Sequence, residues 1–316
     1  LSGYFHWVSG ATDNAIYPSL FLKYIAAYLH QEDLLSNNLI RFVFAIFITA
    51  ILSFVNYTGL EIVGKLSIAV SIISMAPFLI MCILAIPKLD ASRWLVMPAE
   101  GIAPDDDHSP GFFPDPVYGG IMWRPLLNML FWNLNSFDVG ASFAGEVRDP
   151  ERVFPRAMFL SIVLVVLGYI LPLGASLGAV DTYQGDWDAG YFTNVSVAIG
   201  GNWLGILTVF AAAISNIALY EAEMSGDAYQ LLGMGERGMI PKVFTKRSRF
   251  GTPVNGIILN TLTICAMSVA DFDALVEMLN FAYALSLQME FAAFIKLRIT
   301  QPDGKFALTS MVRWRT

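Results

Sequence analysis

Residues 157–180 read AMFLSIVLVVLGYILPLGASLGAV, an unbroken stretch from Ala157 to Val180 without a single Asp, Glu, Lys or Arg. A helix needs about 20 apolar residues to cross roughly 30 Å of hydrocarbon, and this stretch meets that length with no charge to solvate. It reads as a membrane-spanning helix, and the rest of the chain is judged by the same test. Trp203 to Tyr220, Pro253 to Ala270 and Leu66 to Pro87 are also charge-free. Four weaker runs each carry one or two charges: Ala11 to Leu29 with Asp13 and Lys23, Asn38 to Val55 with Arg41, Pro125 to Gly145 with Asp138, and Ala274 to Ile295 with Glu277 and Glu290. Eight crossings are therefore expected, and the fold class is all-α, a polytopic transmembrane helix bundle.

Composition agrees. Only 14% of the 316 residues are charged and 56% are hydrophobic, with a mean hydropathy of +0.57; a soluble domain carries about 25% charged residues. The net charge of −7 says less than its placement. One set of loops holds Arg148, Arg152 and Arg156, then Arg237, Lys242, Lys246, Arg247 and Arg249, then Lys296, Arg298, Lys305, Arg313 and Arg315. The alternate loops hold Glu32 and Asp33, the acids between Asp90 and Asp115, then Asp181, Asp186 and Asp188, then Asp271 and Asp273, with Lys88, Arg93 and Arg124 as their basic residues. Eight alternating crossings reproduce that partition, and the positive-inside rule puts the basic loops and both termini in the cytoplasm. Asn194-Val195-Ser196 then lies in an outer segment where a glycan is possible. Asp181 to Asn202 is expected to be a partly helical cover over an entrance. Cys82 and Cys265 fall inside spans, so neither suggests a disulfide or a metal site. No phosphate-binding loop, zinc-ligand spacing or nucleophile elbow occurs, so no cofactor, metal or enzymatic activity is expected.

Two segments hold polar residues that a lipid-facing helix would not choose. In Pro125 to Pro155, residues Asn128, Asn133, Asn135, Ser136, Asp138, Gly140 and Gly145 interrupt an otherwise spanning run. Irregular backbone survives at membrane depth only where protein or a water-filled cavity satisfies it, and such broken helices form transporter binding sites. Asn135-Ser136 and Gly140 mark the expected break, and Asp138 beside it is either a functional carboxylate or a structural, hydrogen-bonded one. The second segment is Asn216 to Asp227, with Glu221, Glu223 and Asp227 within two turns. Glu223 and Asp227 share a face, whereas Glu221 is rotated away by about 200°. Carboxylates crowded in a poorly solvated place exchange protons readily; alternatively, Glu221 and Glu223 pair with Lys or Arg near the inner surface. Tyr17, Trp132, Phe137, Tyr220 and Tyr283 lie near these acids, and aromatic faces attract cations, although packing and membrane-interface roles also account for such residues. Asp13-Asn14 and Asn280 are further polar residues at plausible cavity depth, equally suited to interhelical hydrogen bonds.

The run Phe131-Trp132-Asn133-Leu134-Asn135-Ser136-Phe137-Asp138, with Ala144-Gly145-Glu146-Val147 and Asp149-Pro150 through Phe154-Pro155, resembles the sixth helix of amino acid-polyamine-organocation transporters. Glu221-Ala222-Glu223-Met224, Asp227 to Leu231, Gly235 to Pro241 and Ser248 to Pro253 narrow the likeness to the polyamine uptake transporters of plants and protists. Asp13-Asn14-Ala15 with Tyr17-Pro18, and Glu290-Phe291 with Phe294 to Arg298, are similar to that family's third and tenth helices. The resemblance implies a leucine-transporter-like inverted-repeat fold, alternating access and proton-driven uptake of putrescine or spermidine. A neutral or cationic amino acid carrier on the same fold is the alternative, and a non-transporting membrane remnant or sensor is the alternative of another class. It further implies that the acid at Asp138 is a substrate or proton site, that Phe137 lines or gates the pocket, and that Glu221 and Glu223 mark the polyamine branch.

On that basis the substrate-binding candidates are Asp138, Trp132, Asn133, Asn135, Phe137, Glu223, Tyr283 and Tyr17. Asp138, Glu221, Glu223 and Asp227 are the candidates for proton coupling. The partners are a small cationic substrate or an amino acid, a coupling proton and the lipid bilayer, with no nucleic acid; the setting is a plasma membrane or endomembrane. Residues 1–300 are expected to form one transporter domain that begins at the family's third helix and ends after its tenth, as a truncated piece of a longer protein would. Residues 301–316 are expected to be an atypical cytoplasmic tail.

Overall fold

A computed structural model describes residues 1–29, 38–95, 117–118, 121–143, 146–182, 187, 190–268, 270 and 272–300. The tail from 301 onward, most of the long acidic connection after Leu95 and the middle of the Asp181 segment lie outside the described residues. In chain order the helices are α1 (Ser2–Leu29), α2 (Asn38–Thr58), α3 (Leu60–Ala85), α4 (Trp123–Leu134), α5 (Pro150–Ala179), α6 (Tyr191–Gly200), α7 (Asn202–Glu236), α8 (Val254–Met267) and α9 (Phe272–Thr300). A two-residue hairpin, β1 (Val117–Tyr118) with β2 (Ile121–Met122), precedes α4.

Each of the eight expected spans overlaps a helix among the described residues, and the protein is an integral, multi-pass membrane protein. Among the described residues, five helices are long and apolar enough to cross a bilayer by length and composition: Leu39–Thr58, Leu60–Lys88, Pro150–Ala179, Asn202–Glu236 and Phe272–Thr300. The other three expected spans differ for separate reasons. α1 carries His6, Ser9, Thr12, Asp13 and Asn14, all buried, so its polar face is turned into protein rather than lipid. α8 is a short helix of 14 residues. α4 stops at Leu134 because the chain breaks there.

α7 is the axis of the bundle. It runs for 35 residues, past Tyr220 where the charge-free run ends, because Glu221, Met224, Ser225, Asp227 and Ala228 are buried against neighbours rather than marking a water boundary. α1 packs along both α7 and α9, while α3 and α6 cover the other side of α7. One apolar core gathers Ile16, Tyr17, Leu52, Tyr220, Met224, Ile257 and Leu279 from α1, α2, α7, α8 and α9; a second gathers Met81, Ala175, Val195, Ile199 and Leu204 from α3, α5, α6 and α7. Burying such side chains stabilises by roughly 1.5–3 kcal/mol each in water, whereas within lipid close packing supplies the gain instead. α5 turns Leu160, Ile162, Leu164 and Ile170 outward, which is unremarkable for a helix solvated by lipid tails.

The sequon Asn194-Val195-Ser196 lies inside α6 rather than in a loop. Ser196 is buried and its hydroxyl accepts a hydrogen bond from Thr208 of α7 at 2.8 Å, so the segment is committed to packing.

Candidate functional site

α4 ends at Leu134, and Ser136 takes a left-handed backbone with φ of 59°. A short 3-10 turn then runs from Val139 to Phe143. This is the break expected at Asn135-Ser136. The backbone N–H of Ser136, which the break deprives of a helical acceptor, donates to the Tyr283 hydroxyl at 3.0 Å, and that hydroxyl donates to Asp138 Oδ1 at 2.5 Å. One side chain of α9 thus satisfies the broken backbone and orients the carboxylate beside it. Asp138 Oδ2 faces Nδ1 of His6, on α1, at 3.4 Å.

A second constellation surrounds Asp13. Its Oδ1 accepts the indole Nε1–H of Trp132 at 2.9 Å and its Oδ2 accepts the Tyr17 hydroxyl at 3.0 Å. α7 presents Glu223 and Asp227 to the same place: the Glu223 carboxylate interacts electrostatically with Asp13 and Asp138, and Asp227 with Glu223 and Asp13. Asp227 is 1% exposed and its Oδ2 has no hydrogen-bond partner among the described residues. Gly10 makes room for it, since a Cβ there would meet Asp227 Oδ1 at 2.1 Å. Asp138, Tyr283, Trp132, Tyr17, Glu223 and Asp227 are therefore brought together across α1, the α4 break, α7 and α9.

Other expected residues stand apart. Glu221 faces the opposite side of α7, as its rotation predicts, and accepts Asn56 Nδ2 of α2 at 2.6 Å; Ser225 completes that knot by donating to Asn56 Oδ1 at 2.7 Å. Asn135 is partly buried at the break and accepts the Ser136 hydroxyl. Asn133 is exposed and accepts the Tyr169 hydroxyl of α5 at 2.7 Å. Phe137 is 54% exposed and directly follows the left-handed Ser136. Phe131 packs against Tyr283, with ring centroids 5.9 Å apart.

A cavity of about 640 Å³ opens at the acidic-loop end, lined by Ile16, Leu20, Tyr24, Met129, Trp132 and Phe272 among others. That size suits a small organic molecule. Trp132 links it to the acids: its indole lines the cavity, meets Phe272 edge-on at 5.6 Å and donates to Asp13. His6, Asp13 and Phe272 join the candidate site; of these the sequence-based reading raised only Asp13, as a polar residue at cavity depth. The spacing Ser2, His6, Ser9, Asp13, Tyr17, steps of three or four along one helix face, is the signal that locates the first two.

Comparison with known proteins places this geometry in a setting. A family model described as amino acid permease matches residues 1–314. A probable polyamine transporter of Arabidopsis thaliana is 41% identical over 95% of this chain and 58% of its own length. The polyamine transporter PUT1 of Oryza sativa subsp. japonica is 40% identical over 96% of this chain and 53% of its own length. The polyamine transporter RMV1 of Arabidopsis thaliana is 39% identical over 95% of this chain and 57% of its own. The chain spans just over half the length of the curated relatives it matches.

Proposed function

The chain belongs to the amino acid permease family, a family of transporters and not of enzymes, and on that premise we propose that it binds polyamines such as putrescine and spermidine for proton-driven movement across a membrane. The observation that carries this reading is a set of four carboxylates, Asp13, Glu223, Asp227 and Asp138, gathered inside the bundle without a Lys or Arg partner among the described residues. The described ion pairs to Lys and Arg lie elsewhere, at Lys65–Glu61, Arg124–Glu277 and Arg247 with Glu146 and Glu236. Ionised carboxylates only accept hydrogen bonds, and buried charge is tolerated when something compensates it. A chain of protonated amines supplies both donors and charge. An α-amino acid brings its own carboxylate into the same place, where it is repelled.

Trp132, Phe272, Tyr17 and Tyr283 supply the apolar and π faces suited to the methylene spacers and ammonium groups. Residues 1–300 act in this reading as one transport domain, with the 640 Å³ cavity as the approach to the acids. The names of the rice and Arabidopsis relatives support the substrate class.

The test is equilibrium binding of radiolabelled spermidine to the purified chain in detergent. Binding displaced by putrescine but not by leucine or arginine is expected, with Asp13→Asn and Glu223→Gln each weakening it at least tenfold, about 1.4 kcal/mol. Displacement by arginine as effective as by putrescine would move the assignment to cationic amino acids. Uptake into proteoliposomes with and without an imposed pH gradient then reports coupling.

A further inference from the structure

Where α1, the α4 break and α9 meet near the basic-loop end, three potential ligands converge that no sequence spacing announces. His6 Nδ1 lies 3.4 Å from Asp138 Oδ2 and 4.0 Å from Glu290 Oε1, and the three ligand atoms all lie within 4.8 Å of one another. We propose that His6, Asp138 and Glu290 form a binding site for a divalent transition-metal ion, with zinc the best fit. The site does not depend on what the protein carries.

Zinc bonds of about 2.0–2.1 Å to nitrogen and oxygen set tetrahedral ligand atoms about 3.4 Å apart. The His6–Asp138 separation already matches, and the His6–Glu290 separation closes by a small side-chain movement. One imidazole with two carboxylates favours zinc over magnesium or calcium, which take oxygen ligands. The charge also asks for a cation: two carboxylates face one histidine, and none of the described Lys or Arg side chains pairs with either acid.

The surroundings are arranged as a metal's outer shell requires. Glu290 Oε1 accepts the Ser2 hydroxyl at 3.2 Å and the Ser286 hydroxyl at 3.1 Å, while Asp138 Oδ1 accepts from Tyr283. His6 is 6% exposed and its ring lies 5.9 Å from that of Tyr283, so packing restricts the imidazole. Glu290 is partly exposed, giving a path in and room for water at a fourth position. Three protein ligands with an open position describe an exchangeable site rather than a closed structural one. A bound ion would tie α1, the break and α9 together and take up Asp138.

Cobalt(II) is the spectroscopic probe, titrated into the purified chain in detergent and then displaced by zinc. Visible d–d bands of a low-coordinate cobalt site, saturating at one ion per chain, are expected for the natural sequence and at least tenfold weaker binding for His6→Gln and Asp138→Asn. His6→Cys, which restores a zinc ligand as thiolate, is expected to recover zinc affinity. Size-exclusion profiles establish that each variant is folded. Absence of one-ion binding, or binding unaffected by His6→Gln in a folded variant, overturns the site.

Discussion

Tyr283 does two jobs with one hydroxyl: it accepts the Ser136 N–H freed by the break and donates to Asp138. Its ring is buried, so water has no ready access to replace it. Tyr283→Phe keeps the ring and removes both bonds, leaving a backbone donor without an acceptor, a loss of about 1–3 kcal/mol in stability. Thermal unfolding in detergent measures this, and a change within about 0.5 kcal/mol would mean that the break is satisfied some other way. Asp138 was legible in the sequence because a carboxylate in an apolar run, three residues after an Asn, has few structural excuses. The exposure of Phe137 was not, since composition does not report the left-handed turn at Ser136 that precedes it. His6 could be placed on the helix face of Asp13 and Tyr17 by spacing, but its nearness to residues 138 and 290 exists only in the folded chain.

Elements were easier to read than their limits. Apolar windows found α2, α8 and α9 closely, yet began α1 nine residues late and ended α7 at Tyr220. Both errors have one physical origin. Hydropathy assumes that polar residues seek water, whereas those of α1 and α7 meet one another inside the bundle. Asn14 shows how closely: with its amide oriented to match its surroundings, it donates to Tyr220 O and accepts from Met224 N, reaching the backbone of α7 itself. Such approach depends on small residues, and at the α7–α8 contact the neighbour is itself backbone. A Cβ on Gly256 would lie 3.0 Å from Ala228 O and 3.1 Å from Ala228 Cα, both backbone atoms that cannot rotate away. Gly256→Val is therefore expected to push α8 from α7 and lower stability by about 1–3 kcal/mol, read as a fall in the unfolding temperature. Gly233→Ala on α7, where nothing lies within 4 Å of the added carbon, is the matched control and is expected to be neutral or slightly stabilising.

At the scale of the whole molecule, the loop charges divide into two sets and the structure gathers each set at its own end. Arg247 joins Glu146, just after the break, to Glu236 at the end of α7, at 3.0 and 3.5 Å, and Ser2 meets Glu290 at that same end. At the other end the Asp90 N–H donates to Gly178 O at 2.8 Å and Lys88 Nζ donates to Ile199 O at 2.8 Å, so the exits of α3, α5 and α6 are tied together. Ser92 caps Asp90 there through its hydroxyl and its N–H, which holds that exposed carboxyl below its usual range and keeps this acidic-loop turn charged. If the positive-inside rule governs the chain, the Arg247 end is cytoplasmic and the Asp90 end faces the opposite compartment. Single cysteines decide this once Cys82 and Cys265 are replaced by Ala. Arg249→Cys is expected to react with a membrane-impermeant maleimide only after the cell is opened, and Ser92→Cys in intact cells. Labelling of both from one side would mean an even number of crossings between residues 92 and 249 and would break the eight-span alternation. Labelling of each from the reverse side would keep the fold and invert the orientation, placing the 640 Å³ cavity on the cytoplasmic face.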